Sequence, residues 1–153
     1  MSDWGSTRKV PAHVTLAEGV VLEGDLHLLI RSAHPSGSET PLEMLSRSEA
    51  FFPLTMSGGS VGFVPKAQAA LITCRDQAAL PDPDRASAAK LIRLEVVLLG
   101  GREVHGSATL ELPPSRARAL DYVNGPGGFF MLSSGDLTWY INKSLVRLIR
   151  PLD

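Results

Sequence analysis

The chain has 153 residues, 44% hydrophobic and 20% charged, with a formal net charge of −1. That balance excludes a disordered or membrane-embedded chain and gives no general pull toward nucleic acid or an anionic lipid surface. The length suits one ordinary domain or two modules of about 60 to 70 residues that lean on one another.

The only cysteine, Cys74, cannot form an internal disulfide and is read as a small buried hydrophobe. No apolar run approaches the roughly 20 residues that span a bilayer. The polar start Met1, Ser2, Asp3, Trp4, Gly5, Ser6 has no signal-peptide core, so a cytoplasmic location is expected. Charge is unevenly spread. Residues 13–74 carry three basic and six acidic side chains, and residues 91–150 seven basic and five acidic, so the halves are complementary in sign.

Residues 1–9 carry no period and read as a tail, with Trp4 a possible anchor. A strand over 10–17 turns at Glu18 and Gly19 into a second, where Leu22, Gly24, Leu26, Leu28 and Ile30 share one face and Glu23, Asp25 and His27 the other. Period two with one apolar face is a half-buried strand, and Gly24 in its middle marks a bend. After a polar loop at 32–39, Thr40, Pro41 and Glu43 supply an N-cap, a first-turn proline and a capping-box acid. They predict a helix to about residue 47 that buries Leu42 and Leu45. Strands are expected at 51–54, 61–64 and 69–74, with a tight corner at 65–67.

Residues 75–90, with Pro81 and Pro83, read as a linker. The order of events then repeats. The offset is 82 at the hairpin (Gly19 to Gly101, Gly24 to Gly106), 78 at the aromatic pair (Phe51 to Phe129, Phe52 to Phe130) and 77 at the end (Lys66 to Lys143, Ile72 to Ile149). A drift confined to loops is what duplication permits. In the second copy Ser115 is expected to cap a helix containing Leu120 and Val123, ended by Asn124 and Gly125. Ten strands and two helices are expected in all.

The glycine-bent hairpin and the closing run Val61-Gly62-Phe63-Val64-Pro65-Lys66 before Leu71-Ile72 resemble the Sm-like fold, a five-stranded bent barrel. The second copy has Trp139-Tyr140-Ile141-Asn142-Lys143 before Leu148-Ile149. The helix departs from that family, where it precedes the first strand. The helix and Phe-Phe arrangement is also similar to a group of uncharacterised bacterial tandem-repeat proteins. The resemblance implies single-stranded RNA bound by a ring of subunits, through an acidic or amide residue after the second strand and a basic turn before the last. Only the turn carries over, to Lys66, Asn142 and Lys143; Arg31 or Ser32 and Pro113 stand where the other half of the pocket would be.

No catalytic chemistry is visible. His13, His27, His34 and His105 show no carboxylate or cysteine at metal-ligand spacing, although duplication could bring His27 and His105 together; both read as solvated strand histidines. No nucleophile elbow or catalytic triad is present. Gly125-Pro126-Gly127-Gly128 follows a helix and precedes a strand, the wrong order for a phosphate cradle. Arg116 and Arg118 lack the strand motif of cyclic-dinucleotide barrels. Neighbours on one strand face opposite sides, so one member of each Phe pair is expected beneath its helix and the other is a candidate partner contact.

The expected architecture is therefore mainly β: a tail (1–9), a first Sm-like barrel (10–74), a linker (75–90) and a second barrel (91–153), each barrel with a short inserted helix, in a pseudo-twofold pair. The expected role is a non-catalytic adaptor or assembly module without metal or cofactor, binding protein or itself through strand edges or through Phe51, Phe52, Phe129, Phe130, Trp139 and Tyr140. The alternative is RNA binding through Lys66, Asn142 and Lys143.

Overall fold

Alternation of apolar and polar residues carries directly into the first hairpin of the computed structural model, which describes residues 7–30, 39–75, 90–110 and 118–152. Strand β1 (Thr7–Leu16) buries Val10, Ala12 and Val14 while Pro11 and His13 face solvent, and it pairs with β2 (Val21–Leu29). Thr7, Arg8 and Lys9, expected in the tail, thus open β1. The capping box forms as expected: the Thr40 hydroxyl accepts from the Glu43 amide and the Glu43 carboxylate accepts from the Thr40 amide. It starts α1 (Pro41–Ser46), which buries Met44 and Leu45 and leaves Leu42 half-covered. Strands β3 (Phe51–Met56), β4 (Val61–Pro65) and β5 (Ala69–Cys74) follow, with one 3-10 turn, Lys66–Gln68, between the last two.

The second half contains β6 (Lys90–Leu98), β7 (Glu103–Leu110), α2 (Ala119–Val123), β8 (Phe129–Ser134), β9 (Leu137–Asn142) and β10 (Val146–Pro151). A 3-10 turn at Lys143–Leu145 again joins the last two strands. Arg118 occupies the N-cap of α2 without a side-chain hydrogen bond. The cap expected from Ser115 lies outside the described residues, as do Trp4, Arg31, Ser32, His34, Pro113, Arg116 and the linker between Arg75 and Lys90.

Mainly-β architecture is observed, but not closed barrels. The ten strands of the described residues form one open antiparallel sheet in the order β10-β6-β7-β8-β9-β5-β1-β2-β3-β4, with β4 and β10 at its edges. The first five strands and the last five run in the same relative order. A twofold pair would place like strands at the junction, such as β5 against β10. The junction instead pairs β5 with β9, at Leu71↔Ile141, Ile72↔Tyr140, Thr73↔Trp139 and Cys74↔Thr138. The halves are therefore joined head to tail, and the expected pseudo-twofold relation is not observed.

Two cores flank this junction. The first gathers Val14, Leu26, Phe52, Leu54 and Ile72 with Tyr140 and Phe129 from the second half; the other gathers Leu94, Val96, Phe130, Leu132 and Ile141 with Leu71 from the first. Successive residues of a strand face opposite sides, so β5 and β9 each feed both cores. Gly24 and Gly106 hold the bends. A Cβ on Gly24 would fall on the Thr55 carbonyl oxygen of β3, and one on Gly106 would lie 2.9 Å from the Leu132 Cβ of β8.

Candidate functional site

The six aromatic residues expected to meet a partner separate sharply. Phe52, Phe129, Phe130 and Tyr140 are buried, Trp139 is half-covered, and only Phe51 is exposed. For the first pair one ring is inside and one outside, as alternation demands. For the second pair both are inside, because α1 packs against β8 and covers the side that Phe129 faces. Phe130 meets Tyr122 of α2 edge-on, centroids 6.2 Å apart, while the Tyr122 hydroxyl donates to the Met131 carbonyl. Burial pushes the Tyr122 phenol above its usual range, with the Met131 bond opposing. Four of the six are thus core residues and no contact surface.

The two lysine turns are structural fasteners. Lys66 Nζ donates to the Arg47 carbonyl at the end of α1 (2.8 Å), and Lys143 Nζ to the Gly125 carbonyl just past α2 (2.7 Å). Each ammonium satisfies a backbone carbonyl in the turn that follows a helix, at the C-cap of α1 and one residue past the C-cap of α2. Burial pulls both ammonium groups below the usual lysine range; at Lys66, Glu49 and Glu39 oppose the shift and Arg47 adds to it. Asn142 is equally committed. Its amide nitrogen donates to the Lys66 and Ala69 carbonyls (3.0 and 3.1 Å), bridging the halves, and its Oδ1 accepts from the Ser144 amide. Beside Lys66, buried Glu39 accepts from the Leu29 amide and pairs with Arg47 at 3.1 Å.

The histidines correct the sequence reading in two ways. His27 is buried and not solvated, its Nδ1 2.9 Å from Thr7 Oγ1 and its Nε2 2.6 Å from Thr55 Oγ1. Burial lowers its pKa from the ordinary imidazole value, Lys9 adding to the shift and Asp25 opposing it. Carboxylates do lie near two of the others: His13 is 3.7 Å from Glu23, and His105 shares a cluster with Glu95 and Glu103 on the β6–β7 hairpin. Glu95 is already paired with Arg150 at 2.8 Å, so that cluster is a surface ion-pair network. His27 and His105 are not brought together, since β8, β9, β5 and β1 separate their strands.

What remains open is the pair of sheet edges. Strand β4 carries no charge, and its Phe63 is 67% exposed. Beside it lies a groove of about 330 Å³ whose lining is mostly apolar, with Leu16, Leu22, Met56, Phe63 and Val64, and also includes Glu18 and Gln68. On β10, Leu148 is 44% exposed. Between the halves, Leu42 of α1, Tyr122 of α2 and the Phe129 and Phe130 rings bound a further cavity of about 370 Å³. Arg147 and Arg150 mark β10 as an edge in the sequence, but β4 has no polar residue whereas β9 carries Thr138 and Asn142, so burial and not composition separates the junction strands from the edge at β4. Among the described residues no helix is long and apolar enough to cross a membrane. Comparison with family models, curated proteins and solved structures finds no match to this chain.

Proposed function

We propose that this chain is a non-catalytic adaptor or assembly module of the cytoplasm that binds protein by strand addition at its open sheet edges, and that residues 10–74 and 91–153 are two copies of one Sm-like unit. One observation carries the binding reading: the uncharged edge strand β4 presents Phe63 to solvent beside a mostly apolar groove that Glu18 and Gln68 also line. Solvent-facing edges in soluble proteins are ordinarily blunted by charges, by proline or by shortness; β4 is short and ends in Pro65 but carries no charge, and an uncharged edge can receive another strand. Common strand order in the two halves supports the duplication.

RNA binding through Lys66, Asn142 and Lys143 loses support, because all three side chains are spent on backbone carbonyls. The test is capture from a host lysate by the immobilised chain, with the wild type and Phe63→Lys compared side by side. Proteins retained by the wild type and lost with Phe63→Lys are expected. Identical capture by both, or none by either, overturns edge binding.

A further inference from the structure

We infer that the cavity between the halves binds a small aromatic monocarboxylate, its ring among Phe129, Phe130 and Tyr122 and its acid group against Lys143. The inference goes beyond the edge-binding reading and does not depend on it. It comes from setting the two halves of the chain side by side, because this cavity has a smaller counterpart in the first half. By the offsets of 77 and 78 residues, Tyr122 matches Met44, Gly125 matches Arg47, Phe130 matches Phe52 and Lys143 matches Lys66, and every one of these lines its own cavity. The two lysines also make the same bond, to the carbonyls of Gly125 and Arg47. Both cavities therefore occupy the same place between a helix end, a Phe pair and a lysine turn.

In the first half that place is filled from within. Arg47 and His27 line it, Arg47 pairing with buried Glu39 at 3.1 Å and with Glu49 at 3.2 Å, and only about 120 Å³ of space is left. In the second half Gly125 and Thr109 stand at the positions of Arg47 and His27, Leu42 of α1 adds a wall, and the space is about 370 Å³. An apolar void of about 150 Å³ takes a benzene ring, so this one has room for two fused rings and an acid group. Charge changes along with volume. Glu49 and Glu39 both act on Lys66, whereas no carboxylate of the described residues acts in that way on Lys143. The offset of 78 residues places Ala117 and Gly127 where those two acids stood. Asp121 also lines the larger cavity, but Arg118 holds both of its oxygens, at 3.0 and 3.5 Å. An ammonium has three donors, and the Gly125 carbonyl takes one of them. A half-buried cation that has lost its acids fits an anion from outside, and the aromatic walls fit a flat apolar body attached to it.

The test is calorimetric titration of the full chain with 2-naphthoate and, as its neutral isostere, 2-naphthamide. The wild type is expected to bind one 2-naphthoate per chain, about tenfold or more tighter than 2-naphthamide, the margin a charge-assisted hydrogen bond supplies. Lys143→Met keeps the apolar stem and removes the charge. It is expected to weaken 2-naphthoate by about tenfold or more and to leave 2-naphthamide unchanged. Thr109→Trp, at an exposed lining position, puts a large ring where His27 stands in the first half and is expected to abolish binding of both compounds. Circular dichroism checks that each variant folds; should Lys143→Met fail to, the two compounds on the wild type and on Thr109→Trp decide the matter. No saturable binding by the wild type overturns the inference, and so does equal affinity for the two compounds, which would mean that the charge is not read. Binding of 2-naphthoate unchanged by Lys143→Met or by Thr109→Trp overturns it as well, since the compound would then sit elsewhere.

Discussion

His27 shows how a residue's meaning changes once its surroundings are known. Its place among Glu23 and Asp25 suggests a solvated face, yet Thr7 and Thr55 from the flanking strands enclose it. The unfolded chain takes up a proton on this imidazole near pH 6.5, whereas the folded chain, with its pKa lowered, does so only at more acid pH. Between those points the unfolded state binds more protons, so the stability His27 contributes is full above about pH 6.5 and is lost as pH falls below it. Urea midpoints measured from pH 7.5 to 5 are expected to fall, and His27→Gln to flatten that fall. The lysine turns give a second test. Lys143→Ala removes a charged donor from the Gly125 carbonyl and is expected to lower unfolding free energy by about 1 kcal/mol, read from thermal melts. Single-stranded RNA retained by the wild type at low salt and released by the Lys66→Ala, Lys143→Ala pair would reinstate the nucleic-acid reading.

Elements were legible wherever a local rule sufficed. Thr40, Pro41 and Glu43 specify where α1 begins, and period two on β2 places Leu26 and Leu28 on a buried face. Gly24 and Gly106 signal their bends because only a residue without a side chain lets β3 and β8 come so near. Gly24→Ala and Gly106→Ala are each expected to cost about 1 to 3 kcal/mol in chemical denaturation, the overpacking range. Gly24→Ala is the worse of the two, since a backbone carbonyl must move. The second Phe pair and His27 escaped because period two says which residues share a face and is silent on what covers the other face. At β8 the cover is α1, which lies more than 80 residues earlier in the chain.

At the scale of the molecule, the ten strands and two helices of the described residues and their order were legible, whereas the joining of the halves was not. Twofold and head-to-tail pairs bury similar apolar strands, and composition alone does not choose between them. The choice shows in which strands are buried on both faces, a property of β5 and β9 that their sequences do not announce, since β9 carries Thr138 and Asn142. Leu71, wholly enclosed in the second core though it belongs to the first half, makes the consequence concrete. A Leu71→Ala change is expected to cost about 2 to 5 kcal/mol and to shift every probe of both halves together. Strands that serve two cores at once also set a hierarchy of protection. Amide hydrogens of residues 71–74 and 138–141 have no local opening that spares either half, so they are expected to exchange with solvent only when the whole chain unfolds, later than amides of β3 or β8. Exchange measured residue by residue would then show a single cooperative unit, in which neither half keeps a stability of its own.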